Sequence, residues 1–312
     1  MRLPILLLCL LALPAAAEPI PLTAVGKQLN AEDLQQTRIG KLDWRGTLEL
    51  GSADSRFGGY SGLLIGADGL DLTAVSDLGH WLSGRLTYDG AGRLTSFTGA
   101  EIRPLLGEDG QPLHGKAEGD AEALTRDEQG RLLVSFERDH RILAYDDLGS
   151  AGVLLPAPPI HPKDGNAGLE ALETLPSGGG LLALTESGEA EGGGAFLWRD
   201  GSWHPLGYRR TRNLSAVGAT ATPDGTVYLV ERSWSLVGGL ELRIARLRAA
   251  EIQPGAELRP EELAVLRPPL MVDNFEGIAA RRTPQGETLL YLLSDDNLNP
   301  VQRSLLSVFA VE

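Results

Sequence analysis

A single cysteine, Cys9, stands in the whole chain, and it lies in an apolar leader. A disulfide framework, a thiolate nucleophile and a cysteine-rich zinc site are therefore excluded. Lysine is nearly as scarce: Lys27, Lys41, Lys116 and Lys163 stand beside many arginines. The 28 basic residues face 42 acidic ones, a net charge of −14. Such a surface repels nucleic acid and anionic lipid, and it admits an anionic substrate only with a cation between them. No apolar run beyond the leader is long enough for a membrane helix, so no stable membrane insertion is expected. Several catalytic signatures are also missing. Gly58-Gly-Tyr-Ser-Gly62 lacks the spacing of a nucleophile elbow, and Ser-x-x-Lys, His-Glu-x-x-His and a P-loop do not occur. Nucleophilic serine hydrolysis has no support.

The leader itself has one positive charge, a short apolar core and Ala15-Ala16-Ala17 before Glu18. It reads as a secretory signal peptide cleaved after Ala17, which places the mature chain in the periplasm or outside the cell. No small residue precedes Cys9, so a lipid anchor is not expected. Cleavage removes the cysteine and Arg2, leaving 27 basic against 42 acidic residues, a net of −15. The remainder suits one large domain.

What is present is a phrase repeated five times. A small or acidic residue opens an apolar strand, a turn follows, and a second apolar strand ends in a carboxylate. The copies run from Ser61 to Asp77, Glu122 to Glu137, Glu170 to Glu186, Val217 to Glu231 and Glu276 to Asp295. Turn residues such as Asp68-Gly69, Gly130, Asp224-Gly225 and Gly286 divide the two strands. A third strand follows in every copy (84–88, 141–145, 195–198, 240–244, 304–309) and a fourth in most (94–97, 203–206, 263–266). Four short strands per repeat make a propeller blade. The expected fold is an all-β propeller of five four-stranded blades, with room for a sixth in residues 100–121 or 246–275. The last copy runs out of chain after its third strand, and the alternating segment 42–50 is expected to close the ring from the N-terminal side. Residues 18–40 form a polar leader without clear periodicity, in which Ala31–Gln36 could make a helical turn. The propeller occupies residues 41–312.

In a propeller the first strand lines the central channel, and the end of the second strand lies at the same rim as the start of the first. Glu122, Glu170 and Glu276 should therefore meet Asp77, Glu137, Glu186, Glu231 and Asp295 on one face. Carboxylates so placed repel one another unless they are protonated, paired with arginine or bridged by a cation. Calcium, a hard ion with six to eight oxygen ligands, suits such a ring. Each acid taken singly also suits a turn cap or a local pair, as Glu137-Arg138 and Glu231-Arg232 show. The densest donor set is Asp273, Asn274, Glu276, Asp295, Asp296 and Asn297, at the rim of the last blade. Asn166 before Glu170 is a weaker echo.

Two of the five histidines share a pattern, Asp77-Leu-Gly-His80 and Glu137-Arg-Asp-His140. They could move protons near neutral pH or stack on neighbouring loops. Arg138 and Arg232 directly follow rim acids and offer bidentate partners for phosphate. Arg209, Arg210, Arg212 and Arg303 read as solvated surface. The five tryptophans, residues 44, 81, 198, 203 and 234, read as blade packing.

Several segments carry a resemblance. Gly59-Tyr-Ser-Gly-Leu63, Val75-Ser-Asp-Leu-Gly-His-Trp81, Val134-Ser-Phe-Glu-Arg-Asp-His-Arg-Ile142, Asn166-Ala-Gly-Leu-Glu-Ala-Leu172, Val272-Asp-Asn-Phe-Glu-Gly-Ile278 and Leu292-Leu-Ser-Asp-Asp-Asn-Leu-Asn-Pro300 resemble the phytase-like family, exported bacterial proteins named for an esterase-like activity of phytase. The resemblance covers nearly all of the chain after the leader. It implies a β-propeller and hydrolysis of phosphate esters or other esters. Propeller phytases use calcium and a rim of acids, lysines and arginines. This chain keeps the acids and arginines and has few lysines.

The leading expectation is a calcium-dependent hydrolase of small anionic or ester substrates. In it Asp273, Asn274, Glu276, Asp295 and Asp296 hold cations, with Glu122 and Glu170 across the channel. Arg138 and Arg232 clamp phosphate, and His80, His140 or the neighbouring Glu137 handles protons. One rival is a lactonase or sugar-ester hydrolase with a single axial metal on Glu122, Glu170 and Asn274. The other is a propeller without catalysis, a scaffold for a partner or polymer.

Overall fold

The computed structural model of the chain describes residues 16–160, 168–185, 194–212, 214–235 and 238–312. Most of the leader, Asn166 and Glu186 lie outside these residues. Before the first blade come β1 (Glu18–Pro19), β2 (Thr23–Lys27), β3 (Arg38–Ile39) and β4 (Leu42–Gly51). Blade one is β5 (Tyr60–Ile65), β6 (Asp71–Ser76), β7 (His80–Tyr88) and β8 (Leu94–Pro104). A five-residue helix, α1 (Gly115–Gly119), leads into blade two, which is β9 (Ala121–Arg126), β10 (Leu132–Phe136), β11 (Arg141–Tyr145) and β12 (Val153–Leu155). Blade three is β13 (Leu169–Leu175), β14 (Gly180–Thr185), β15 (Ala195–Arg199) and β16 (Ser202–Tyr208). Blade four is β17 (Ser215–Ala221), β18 (Thr226–Ser235), β19 (Gly239–Arg248) and β21 (Glu261–Leu266); the short β20 (Glu257–Leu258) pairs in parallel with β16. Blade five is β22 (Phe275–Arg282), β23 (Thr288–Ser294) and β24 (Ser304–Val311), completed by β4, whose Leu50 lies opposite Ser304 and Leu42 opposite Val311.

The propeller thus has five blades, and the strand from the N-terminal side closes it as expected. Residues 100–121 and 246–275 hold the end of β8, α1, short strands and loops rather than a sixth blade. The polar segment 18–40 adds three strands to blade edges. These strands are mostly exposed and gain main-chain pairing without a buried face, so they carry no apolar alternation. Residues 31–36 form turns, not a helix. Asn30 Oδ1 accepts from the Glu32 N–H at 2.9 Å and Asp33 Oδ1 from the Gln35 N–H at 3.0 Å, bonds that compete with helical ones. No helix among the described residues is long and apolar enough to cross a membrane.

Alternating side chains on each blade pack against the blades on either side, giving one apolar cluster per interface. Leu63 and Leu82 of blade one meet Tyr291 and Leu306 of blade five. Trp81 meets Val134 and Leu143, Ile142 meets Leu172 and Phe196, Leu184 meets Leu229, and Ile244 meets Leu290 and Leu305. The inner strands cannot pair by their backbones because each belongs to a different sheet. Side chains bridge them instead. Thr125 Oγ1 accepts from the Thr174 N–H at 3.3 Å, Glu173 Oε1 from the Ala221 N–H at 2.9 Å, and Thr220 Oγ1 from the Ala280 N–H at 3.1 Å. Thr125, Glu173 and Thr220 occupy the same position in successive blades, so these bonds tie blades two to five around the axis.

Candidate functional site: a ring of bulged acids

Each inner strand carries a β-bulge at the same place. The pairing skips from Tyr60 to Gly62, Ala121 to Ala123, Leu169 to Ala171, Ala216 to Gly218 and Phe275 to Gly277. The residues left over are Ser61, Glu122, Glu170, Val217 and Glu276, the openers of the repeated phrase. A bulge adds an unpaired residue and re-aims its side chain. The residue after each is glycine or alanine because neighbouring inner strands crowd there. A Cβ on Gly218 would lie 2.1 Å from the Glu276 carbonyl oxygen, and one on Gly62 would lie 2.7 Å from the Leu124 nitrogen.

The ends of the second strands meet these bulges. Asp77, Glu137 and Asp295 each donate a backbone N–H to the residue two before the bulge, at Gly59 (2.8 Å), Asp120 (2.9 Å) and Asn274 (3.0 Å). In blade four the matching position, opposite Ser215, is Arg232 and not Glu231. Glu231 points the other way, fully buried, and accepts from Arg243 at 2.7 Å and Tyr208 at 2.9 Å. Counting from the turn glycine reveals this in the sequence: Glu137 and Arg232 both stand seven residues on, after Gly130 and Gly225.

The carboxylates converge. One oxygen from each of Asp77, Asp120 and Glu122 lies within 4.8 Å of the others, and all three residues are buried. Burial pushes the Glu122 carboxyl well above the usual carboxylate range, and the charges of Glu170, Glu276, Asp77 and Asp120 push it further. Glu122 has no hydrogen-bond partner among the described residues. Burial also raises Asp77 to about 6, against the pull of Lys116, whose ammonium donates to Asp77 Oδ2 at 2.5 Å and lies 3.7 Å from Asp120 Oδ1. Asp295 rises to about 8 through burial and the charges of Glu276 and Asp77. Arg138 donates through Nε to Asp120 at 2.6 Å. Glu276 accepts from Ser61 at 2.9 Å, from the Asn274 amide at 2.9 Å and from Arg232.

Of the acids expected from sequence, Glu122, Glu170, Glu276 and Asp295 come together here. Asp273 and Asp296 belong to local structure. Arg303 donates to Asp273 at 3.0 Å, and Asp296 accepts from the Gly59 and Leu298 N–H groups, both at 3.0 Å, and from Ser304 at 2.7 Å. Asn274 spends its amide on Glu276 and Asp295, and its oxygen accepts from Arg232. His80 lies beside Asp54 and Arg56, and burial lowers its pKa; burial lowers that of His140 as well. The strongest influences on Glu122, Asp77 and Asp295 are burial and neighbouring charged groups other than these imidazoles. Glu137 is half-buried beside Gly168. Sequence reasoning missed Asp120 and Lys116 as site members. Asp120 stands where Asn274 stands in the last blade, two before the bulged glutamate, and that spacing is legible. Lys116 arrives on α1, a single turn in a connection of no regular period.

A buried donor set with three carboxylate oxygens this close, one of them without a donor among the described residues, fits a hard divalent cation. Among the described residues, Lys116 and Arg138 form ion pairs with Asp77 and Asp120, and Arg232 with Glu276.

No curated protein matches the sequence. Among solved structures, a gluconolactonase from Xanthomonas campestris is similar at 12% identity and a TM-score of 0.45, over 96% of this chain and 99% of that one. A catalytically inactive virginiamycin B lyase from Staphylococcus aureus, with quinupristin, is similar at 12% and 0.45, over 94% and 100%. The Malassezia sympodialis allergen Mala s 1 is similar at 14% and 0.44, over 93% and 96%. The family model described as phytase-like, esterase-like activity of phytase, matches residues 55–298, and the chain belongs to that family.

Proposed function

We propose that this propeller hydrolyses esters, phosphate esters foremost, with calcium held by Glu122, Asp77 and Asp120 and faced across the channel by Glu170 and Glu276. Family membership supports a hydrolase-type propeller. The observation that carries the reading is the buried triad of carboxylate oxygens within 4.8 Å. When bound, the cation supplies charge neutralisation for substrate oxygens and lowers the pKa of a water.

The chain's own residues do the rest. Lys116 and Arg138 fix the carboxylates of Asp77 and Asp120 so that their oxygens face Glu122. Ser61, Asn274 and Arg232 orient Glu276 in the same way. Arg138 uses only Nε on Asp120, and its two terminal nitrogens meet no partner among the described residues. They are placed to bind a phosphoryl oxygen bidentately. His80 and His140 enter no step. The lactone-hydrolysing alternative sets a single ion on Glu122, Glu170 and Asn274, whose oxygen also accepts from Arg232.

The test is turnover of p-nitrophenyl phosphate and p-nitrophenyl acetate before and after chelation. Loss with EDTA, recovery with calcium and loss in Glu122→Gln are expected. Turnover that survives EDTA, or none on any ester, would overturn the proposal.

A further inference from the structure

Blade four departs from the other blades above the rim. The second strands of blades one, two and five end at Ser76, Phe136 and Ser294, opposite the residue before the bulge. The second strand of blade four continues past that point, from Arg232 to Ser235, and pairs with β19 as far as Gly239. It carries Trp234, 67% exposed. An indole held in solvent on a paired strand contributes nothing to the core, contrary to the packing role expected from sequence.

Facing it across a cavity of about 1090 Å³ is the connection from β23 to β24. That loop is held in shape by its own bonds. The Asn297 and Leu298 N–H groups donate to Asp295 Oδ1 (2.6 Å) and Asp296 Oδ1 (3.0 Å), and the Gln302 N–H donates to the Asn299 carbonyl at 3.0 Å. The cavity wall thereby presents fixed polar groups: the hydroxyl of Ser233 and the amides of Asn297, Asn299 and Gln302. The Ser233 hydroxyl and the Asn297 and Gln302 side-chain amides meet no partner among the described residues.

The charged residues of the cavity are already matched. Arg212 pairs with Glu241 at 3.1 Å and Glu262 at 2.9 Å, Asp273 pairs with Arg303, and Arg232 is bound to Glu276 and Asn274. The wall therefore offers hydroxyls, amides and one flat apolar face, with little free charge. A sugar ring is complementary to such a wall: its hydroxyls exchange bonds with amides, and its C–H face lies on an indole. A phosphate or carboxylate is not. Arg232 and Asn274 line the cavity and also touch Glu276, so this wall adjoins the acid ring.

We propose that this cavity is a subsite for a neutral sugar unit, with Trp234 as its stacking platform and Asn297, Asn299 and Gln302 as its hydrogen-bonding wall. The proposal gives the substrate of the hydrolysis proposed above a glycosyl portion. It rests on that reading only for which bond is cut, since sugar binding needs neither turnover nor cation.

The experiment titrates the full-length chain, with calcium and again in EDTA, with methyl glycosides of glucose, galactose, mannose and N-acetylglucosamine and with their disaccharides. Indole fluorescence and calorimetry are read together. At least one neutral probe is expected to bind saturably under both conditions and in Glu122→Gln. Trp234→Ala should weaken it about tenfold, the scale of removing an aromatic platform. Gln302→Ala should weaken it with Trp234 intact, and circular dichroism of both exposed-site variants should match the parent. Binding that survives Trp234→Ala unchanged, binding only of glucose 6-phosphate or glucuronate, or no saturable binding by any neutral probe would overturn the proposal. Loss of ester turnover with sugar binding intact would refute the hydrolase reading alone.

Discussion

Ser61 of the first blade donates its hydroxyl to Glu276 of the last at 2.9 Å, so a bulge side chain bridges the first and last blades. The short serine stands where three other blades place glutamate. A fourth glutamate there would bring another charge against Glu276 and Asp77. With serine, that point supplies a donor.

The crowding around Glu122 sets opposite expectations for the free and the calcium-bound chain. Burial and four neighbouring acids oppose ionisation of Glu122 in the folded chain, a cost that Glu122→Gln removes, so at neutral pH the free variant should melt at a higher temperature than the parent. Calcium should raise the melting temperature of the parent, by about 2.7 kcal/mol of stability at a hundred times its dissociation constant, and should not do so in the variant. Differential scanning calorimetry with and without calcium measures both. A parent insensitive to calcium would remove the cation from the site.

Gly218 tests the bulge itself. A Cβ there meets the Glu276 carbonyl oxygen at 2.1 Å, and both atoms belong to inner strands that cannot separate without opening a blade interface. Gly218→Ala should cost about 1–3 kcal/mol, the range for overpacking, and should weaken calcium binding because Glu276 moves. Denaturant titration and calorimetry check the two effects. A variant of parental stability with weakened binding would contradict the coupling.

Glu231 and Arg243 form a 2.7 Å ion pair with side-chain exposures of 0% and 4%. Removing one partner strands the other. Arg243→Met should destabilise by about 3–5 kcal/mol, read by urea unfolding. The double variant with Glu231→Leu should recover much of that loss, since an apolar pair of similar volume leaves no buried charge. Failure of the second change to recover stability would locate the cost elsewhere.

Glu173 gives a pH dependence. It is buried between three inner strands, and burial lifts its pKa to about 8 from 4.5. A folded-state value above the unfolded one adds stability that is complete below about pH 4.5 and falls away as the pH rises toward 8. One carboxyl oxygen accepts from the Thr125 hydroxyl and the other from the Ala221 N–H, both at 2.9 Å. Glu173→Gln keeps an acceptor for the Ala221 N–H and does not titrate. Between pH 5 and 8 the parent should lose stability that the variant retains, as urea midpoints across that range would show. Parallel profiles would mean that Glu173 is charged in the folded protein.

Blade number, ring closure and the rim of acids were legible because each follows from a repeat of apolar strand, turn and carboxylate. The small residue after each opener, as in Glu122-Ala123 and Glu276-Gly277, records the bulge. Register was not legible from charge. Glu231 and Arg232 are adjacent, and a one-residue shift exchanges the core side of a strand for the rim. Asp273 and Asp296 resemble ligands in composition, yet Arg303 and the Gly59 N–H engage them, and both partners come from other parts of the chain. Lys116 was hidden because a single helical turn of Gly-Lys-Ala-Glu-Gly leaves no periodic trace.

The pairing of β4 with β24 also fixes an order of events. A ribosome delivers β4 before any blade and β24 after all the others. Until then β4 has only the short β2 and β3 to pair with, and the facing sides of blades one and five have no neighbour across the gap. Assembly must wait for β24, and contacts of such sequence separation form slowly. A nascent chain of this kind stays open along one radius until β24 is made, and the acid ring, which spans that radius through Ser61 and Glu276, becomes whole only then.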